Sequence, residues 1–169
     1  MIRVCLVGFG KMGAEFFSYC QKSEEVKIVS VIDESKTPQE VQAFKSHCVE
    51  AFENCDVAVD FSSKEGLQKT VEFACNKKIS IVTGVTGLSQ IEVEKLSRQI
   101  TTSGSRGIFA ANFSFGVNVF LKTVREMARM LPDYDAQVIE MHHVLKKDSP
   151  SGTGLKLARA VEEGRGKEK

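Results

Sequence analysis

Charge bias is missing from this sequence: 23 lysine and arginine residues stand against 22 aspartate and glutamate residues. No basic run with interleaved aromatics occurs either, so the pattern of a nucleic-acid surface is absent. Long apolar runs are also missing. The opening MIRVCLVGFGKMG is too short in apolar residues for a secretion signal and has no small-residue cleavage site, so a cytoplasmic location with no membrane partner is expected. The five cysteines (Cys5, Cys20, Cys48, Cys55, Cys75) are odd in number, include no CxxC pair and mostly sit among apolar residues. That usage predicts reduced core thiols rather than disulfides or zinc ligands. Neither an internal repeat nor a low-complexity linker interrupts the chain. Histidine is scarce, with three in 169 residues, and two of those are neighbours, His142 and His143.

Short apolar runs do occur, and they alternate with segments of helical period. IRVCLV (residues 2–7), VKIVSVI (26–32), DVAVDF (56–61), ISIVTG (79–84) and GIFAANFS (107–114) read as buried strands. Between them lie helix candidates after residue 11, at 64–76 and at 89–100, where Ser89 and Glu92 have the spacing of a capping box. Residues 37–54 carry no clear pattern. The alternation over roughly the first hundred residues predicts an α/β fold, a doubly wound parallel sheet covered on both faces. Beyond it come a helix candidate (VNVFLKTVREMARML), a strand candidate (AQVIEMHHV) and a last helix (GLKLARAVEE). The expected division is a first domain over residues 1–114 and the start of an α+β domain over 115–169.

The first strand runs into Gly8-Phe9-Gly10-Lys11-Met12-Gly13, a GxGxxG pattern. Alone it could be an ordinary glycine turn. Here it stands between strand and helix, and Asp33 ends the next strand twenty residues after Gly13, which completes a dinucleotide fingerprint. The helix start offers N–H groups to a pyrophosphate, and Asp33 can accept hydrogen bonds from ribose hydroxyls. Polar clusters follow three later strands, around Phe61-Ser62, Gly84-Thr86 and Ala110-Asn112-Phe113. One such cluster is ordinary turn chemistry. Three on the edge where open α/β sheets bind ligands suggest the floor of a nicotinamide site.

These motifs, VGFGKMG, VDFSSKEG, TGVTGL, AANFSFGVN and EMHHVLKKDSPSGTG, occur in an order that resembles dihydrodipicolinate reductase, from residue 2 to about residue 160. The resemblance implies a Rossmann cofactor domain followed by a substrate-binding and oligomerisation domain, homotetrameric at full length. It also implies NAD(P)H-dependent reduction of the cyclic dicarboxylate imine derived from 4-hydroxy-tetrahydrodipicolinate, a step of lysine and diaminopimelate synthesis. Hydride added to a conjugated C=C–C=N system leaves an enamine-like carbanion that must be protonated at the neighbouring carbon. Histidine, with an ordinary pKa of ~6.5, can supply that proton near neutral pH. By resemblance His142 is the donor and Lys146 its catalytic partner, while His143, Lys146, Ser151, Gly152 and Thr153 hold the carboxylates. Ser151-Gly152-Thr153 opens the last helix, so its hydroxyls and backbone N–H groups suit an anion. Adjacent histidines in a strand face opposite ways and chelate one metal poorly, so no metal is expected. His47 reads as a surface residue.

The family pattern is not matched everywhere. Glu34 follows Asp33 where NADPH-preferring relatives carry a basic residue, so NADH is favoured, with Lys11 and Lys36 as the groups that could admit NADPH. Ser63 stands where arginine is common and Val85 where threonine is usual. Family members also continue well past residue 169, so this sequence reads as a fragment or a short form. Two alternatives stay open beside the reductase: a non-catalytic dinucleotide-binding protein and another oxidoreductase on the same cofactor fold.

Overall fold

The computed structural model describes residues 1–142, 144 and 150–166. Six strands form one parallel sheet: β1 (Ile2–Val7), β2 (Val26–Ile32), β3 (Gln42–Phe44), β4 (Val57–Asp60), β5 (Ser80–Thr83) and β6 (Gly107–Phe109). Their spatial order is β3-β2-β1-β4-β5-β6, with every neighbouring pair parallel. The chain winds outward from β1 in one direction and then from β4 in the other, so the strand order reverses between β1 and β4. That reversal opens a crevice at the carboxyl ends of the strands. The predicted doubly wound sheet is the observed one.

Side-chain alternation along β1 explains why the sheet is covered on both faces. Val4 and Leu6 point to one side, where they pack with Phe17 and Cys20 of helix α1 (Lys11–Cys20). Cys5 and Val7 point to the other and join Leu67, Val71 and Ala74 of α2 (Lys64–Lys77) and Leu96 and Ile100 of α3 (Gln90–Thr102). Four of the five cysteines are buried and all five are free thiols. Burial pushes the Cys5 thiol up to about 12, which makes it a small apolar core residue. Ser89 caps α3 with Glu92 in the reciprocal capping box that the spacing predicts. The unpatterned stretch 37–54 contains β3 and a 3-10 turn at Glu50–Phe52. A three-residue edge strand with two of its side chains exposed leaves little periodicity to read.

Arg3 ties the start of β1 to the approach to β4. Asp56 accepts from the Arg3 backbone N–H at 2.8 Å, from Nε at 3.1 Å and from Nη2 at 2.7 Å. These bonds hold the Asp56 carboxyl down at about 2. Because the folded value lies below the unfolded one, the unfolded chain takes up the proton first. The stabilisation is therefore complete above the ordinary value of 3.8 and is lost as pH falls towards about 2. Urea melts should show stability falling across that interval, and Asp56→Asn should flatten part of the fall. An unchanged slope in the variant would show that this pair carries none of the linkage.

The chain divides into two compact units, Met1–Ala111 and the residues from Asn112 onward. In the second, α4 (Phe115–Met130) packs on α5 (Gly152–Gly164). Close approach is possible because the contact is made by Ala128, Ala160 and Gly164, and a Cβ at Gly164 would fall on the Arg125 carbonyl. Arg125 and Glu163 form an ion pair across the same contact. The predicted strand AQVIEMHHV is not observed. Residues 136–142 belong to no ladder, and among the described residues of this unit there is no strand at all. Apolar alternation alone does not make a strand, because its N–H and C=O groups need a paired neighbour.

Candidate functional site

Each glycine of the fingerprint has a distinct physical task. Gly8 adopts φ +88°, and a Cβ there would lie 2.8 Å from both the Phe61 carbonyl carbon and the Ser62 nitrogen. The turn after β1 and the loop after β4 therefore touch through backbone. Gly13 is buried, and a Cβ on it would strike the Gly8 carbonyl, so only glycine lets α1 sit this close to the turn. Gly10 is different. Nothing lies within 4 Å of the place its Cβ would take. It is the N-cap of α1 and supplies no side-chain cap, so the first-turn N–H groups of Lys11 and Met12 have no partner within the helix. An open N-terminus above an open glycine is the arrangement that receives a pyrophosphate.

A cleft of about 440 Å³ extends from this turn, lined by Gly8, Gly10, Asp33, Phe61 and Ser62 among others. Asp33 is fixed by its surroundings. Its Oδ2 accepts from the Phe9 N–H at 2.7 Å, and its Oδ1 accepts from the N–H groups of Ser35 and Lys36, both at 2.9 Å, and from the Ser35 hydroxyl at 3.1 Å. Partial burial pushes the carboxyl up, but the N–H groups of Lys36, Phe9 and Ser35 outweigh it and leave it below the ordinary value. Asp33 thus stays ionised, and Oδ2, with a single donor, has room for a ribose hydroxyl.

On the other wall Asp60 ends β4, fully buried. Its Oδ1 accepts from the Ser62 N–H at 2.8 Å and the Ser62 hydroxyl at 2.6 Å, which turns Phe61 and Ser62 towards the cleft. Burial pushes the Asp60 carboxyl up, against the opposing pull of the Ser62 and Thr70 hydroxyls. Ser63, where arginine was the family expectation, caps α2 by accepting from the Gly66 N–H at 3.1 Å. Val85 is buried in the core, which accounts for an apolar side chain at that position.

Not every predicted cofactor residue lines this cleft. Lys11 and Met12 border the turn with exposed side chains. Gly84 and Ala110 lie where β5 and β6 end, donating to the carbonyls of Asp60 at 2.9 Å and Thr83 at 3.0 Å. Thr86 is exposed beside them. Asn112 begins the second unit and bonds the Ser114 N–H at 2.8 Å through Oδ1, with Phe113 exposed between them.

His47, expected at the surface, is half-buried. Its ring stacks with Phe52, centroids 6.2 Å apart, leans on Phe73 and shares a 2.9 Å hydrogen bond between Nε2 and the Thr70 hydroxyl. Burial pushes its pKa down, and it lines the cleft together with Lys45 and Lys69. Sequence reasoning assigned no role to these three. The signal was hidden because their neighbours come from separate elements.

In the second unit the candidate residues divide. His142 is exposed, in the segment without a ladder. His143 and Lys146 lie outside the described residues. Ser151, expected to grip a substrate carboxylate, is instead buried and caps α5, accepting from the Gly154 N–H at 2.9 Å. Its own N–H donates to Glu140 Oε1 at 2.7 Å, and its hydroxyl bonds Glu140 Oε2. The helix start therefore already holds an anion, and it belongs to the protein. Gly152 and Thr153 remain exposed at the first turn of α5, with N–H groups that the helix cannot satisfy. Among the described residues no cluster of three or more histidine, cysteine or acidic side chains could hold a metal.

Comparison with known proteins bears on this arrangement. Residues 2–113 match the family model for the N-terminus of dihydrodipicolinate reductase, and residues 116–169 match the one for its C-terminus. The chain belongs to the dihydrodipicolinate reductase family. A 4-hydroxy-tetrahydrodipicolinate reductase of Caldanaerobacter subterraneus is 36% identical over 165 residues, covering 95% of this chain and 63% of the relative. The enzyme of the same name from Methanothermobacter thermautotrophicus is 31% identical, covering 99% of this chain and 68% of its own length. Dipicolinate-bound dihydrodipicolinate reductase from Paenisporosarcina sp. TG-14 superposes with a TM-score of 0.83 at 27% identity, over 100% of this chain and 68% of that one. The chain thus spans about two thirds of the length of these reductases. Among the described residues no helix is long and apolar enough to cross a membrane.

Proposed function

We propose that this dihydrodipicolinate reductase family chain binds a reduced nicotinamide dinucleotide in the Gly8–Asp33 cleft and carries the cofactor half of the imine reduction named for its relatives. Residues 1–114 form that half, and 115–169 begin the half that holds the cyclic dicarboxylate imine. The single observation that carries the reading is Gly10, which stands open to solvent over an uncapped helix start while Gly8 and Gly13 are closed in by backbone. Its φ of −71° does not call for glycine and nothing packs against it, so neither backbone conformation nor packing accounts for a glycine at this position.

Within this reading the chain's own groups have separable tasks. The Lys11 and Met12 N–H groups hold phosphate oxygens, Asp33 orients the adenosine ribose, and Phe61 and Ser62 close the wall beside the turn. When bound, the cofactor supplies hydride. His142 supplies the proton that completes the reduction, with Lys146 and His143 keeping the dicarboxylate near it. Gly152 and Thr153 offer first-turn donors to a carboxylate, and Ser151 fixes the turn through Glu140. The dipicolinate bound by the Paenisporosarcina enzyme is a planar dicarboxylate, which favours a ligand of that charge and shape.

Cofactor choice gives the direct test. Asp33 and Glu34 present two carboxylates at the ribose end, so NADH should bind more tightly than NADPH by calorimetry. Glu34→Arg should narrow or reverse the difference. A clear NADPH preference in the unaltered chain would contradict this account of the site.

A further inference from the structure

We propose that His47 is a positioning residue of the cofactor cleft: through the Thr70 hydroxyl it holds the buried Asp60 carboxylate, which in turn fixes the Phe61–Ser62 wall against the Gly8 turn. The inference rests on the reading that this cleft holds a dinucleotide.

The contacts form a chain that starts in the loop after β3. His47 Nε2 and the Thr70 hydroxyl of α2 share a hydrogen bond of 2.9 Å. Thr70 is fully buried, and its hydroxyl reaches the carboxylate of Asp60 at the end of β4. Asp60 Oδ1 accepts from the Ser62 N–H at 2.8 Å and from the Ser62 hydroxyl at 2.6 Å. The backbone of Phe61 and Ser62 is the surface that Gly8 touches. A side chain at the rim of the cleft is thus connected to the phosphate turn through three successive polar contacts.

Counting protons orients the chain. Thr70 has one hydroxyl proton and two acceptors in reach, the Gly66 carbonyl at 3.2 Å and the Asp60 carboxylate. A hydrogen bond to an ionised group is about twice as strong as one to a neutral carbonyl, so Asp60 takes the proton. Thr70 then accepts from His47, which places the ring proton on Nε2. Protonating the ring leaves that donor in place and adds positive charge beside Asp60. The chain therefore survives mild acid, and it opposes the desolvation that favours a neutral Asp60. The ring itself is held by Phe52 and Phe73, each with its centroid 6.2 Å away. Packing and polar contact are therefore separable, since phenylalanine can keep the first and remove the second.

Other ionisable groups surround the chain. Cys5 faces Asp60 from β1, its thiol pushed up to about 12 and therefore neutral. Glu34 after β2 and Lys69 on α2 face His47 with opposite signs, and Lys45 and Glu65 line the same cleft. β5 brings no charge, its residue opposite Asp60 being Thr83. All of these are the same in every variant below, so differences among the variants belong to the chain.

Calorimetric titration with NADH between about pH 5.5 and 8, where histidine and a raised carboxyl titrate, tests the role on the unaltered chain, His47→Phe, His47→Gln, Thr70→Val and Thr70→Ser. Amide exchange at Ser62 is followed in the same proteins without ligand. His47→Phe and Thr70→Val should bind as the unaltered chain does at the alkaline end and lose about tenfold at the acid end, the scale of one hydrogen bond to a charged group. The sign follows from Asp60: without these donors the carboxyl takes up its proton at a higher pH, and the bonds to Ser62 weaken as pH falls through that value. Exchange at Ser62 should quicken over the same interval. His47→Gln and Thr70→Ser, which keep a donor, should restore both, and the double variant His47→Phe/Thr70→Val should be no worse than either single one because the contacts act in series. A loss equal at every pH would overturn the role and leave His47 as packing alone, as would failure of both donor-keeping variants to restore binding. An unaltered chain that binds no NADH at any pH would overturn the dinucleotide reading and the positioning role with it. Normal binding by His47→Phe throughout would overturn the role alone.

Discussion

Replacing His142 with alanine, in protein that turns over the imine, should lower turnover by ~10²- to 10⁴-fold while the Michaelis constant changes little. The reason is the timing of the proton. Hydride delivery to a conjugated imine leaves negative charge on the neighbouring carbon, so the acid is needed in the transition state and not for binding. Thr153→Ala should do the opposite, raising the Michaelis constant with a smaller effect on turnover, because the carboxylate contact proposed for the start of α5 would be made equally before and during reaction. Glu140 adds a third comparison. Its carboxylate is bonded to the Ser151 N–H and hydroxyl, two residues before His142, so Glu140→Gln should loosen the segment that carries the acid. The glutamine should lower turnover less than the loss of His142. If His142→Ala turns over normally, the proton comes from another donor and the role assigned to His142 is wrong.

How much of this was legible in the sequence depends on how local each cause is. β1 and β2 are readable to the residue because strands buried on both faces must be apolar throughout, and IRVCLV and VKIVSVI are observed as Ile2–Val7 and Val26–Ile32. The Ser89–Glu92 capping box is readable because both partners lie within one turn. The fingerprint is readable for the same reason, with Asp33 at the end of the very next strand. Where partners are distant, the pattern is silent or misleading. His47 is half-buried only because Phe52, Thr70 and Phe73 converge on it from two other elements. Lys45 reaches the cleft only because β3 pairs with β2. Ser151 has the spacing of an anion-binding turn, yet its donors are taken by a carboxylate eleven residues earlier. Residues 136–144 alternate like a strand, but alternation specifies which face is apolar and not whether a neighbouring strand exists.

The second large effect concerns the glycines, and its value lies in a contrast. Gly13→Ala should destabilise the chain, and Gly10→Ala should not, yet both should abolish tight dinucleotide binding. At Gly13 the added methyl would fall on the Gly8 carbonyl, an immobile backbone atom, so α1 would have to move off β1. Overpacking of that kind costs typically ~1–3 kcal/mol and would displace the N–H groups that face the phosphates. At Gly10 the added methyl meets nothing within 4 Å, and φ there is −71°, a value any residue adopts. The free chain should therefore fold and melt close to the unaltered one, because the backbone entropy that alanine saves on folding is offset by its poorer N-capping. The methyl would instead occupy the space that a pyrophosphate needs, and affinity for NADH should fall by at least ~100-fold, the loss of about two charge-assisted hydrogen bonds to phosphate at ~1.5–3 kcal/mol each. Thermal melts and calorimetric titration of the two variants separate the possibilities. If Gly10→Ala binds NADH normally, the open space over the helix start is not where the phosphates sit. If it melts as low as Gly13→Ala, all three glycines serve the fold, and the turn loses its claim to be a ligand site.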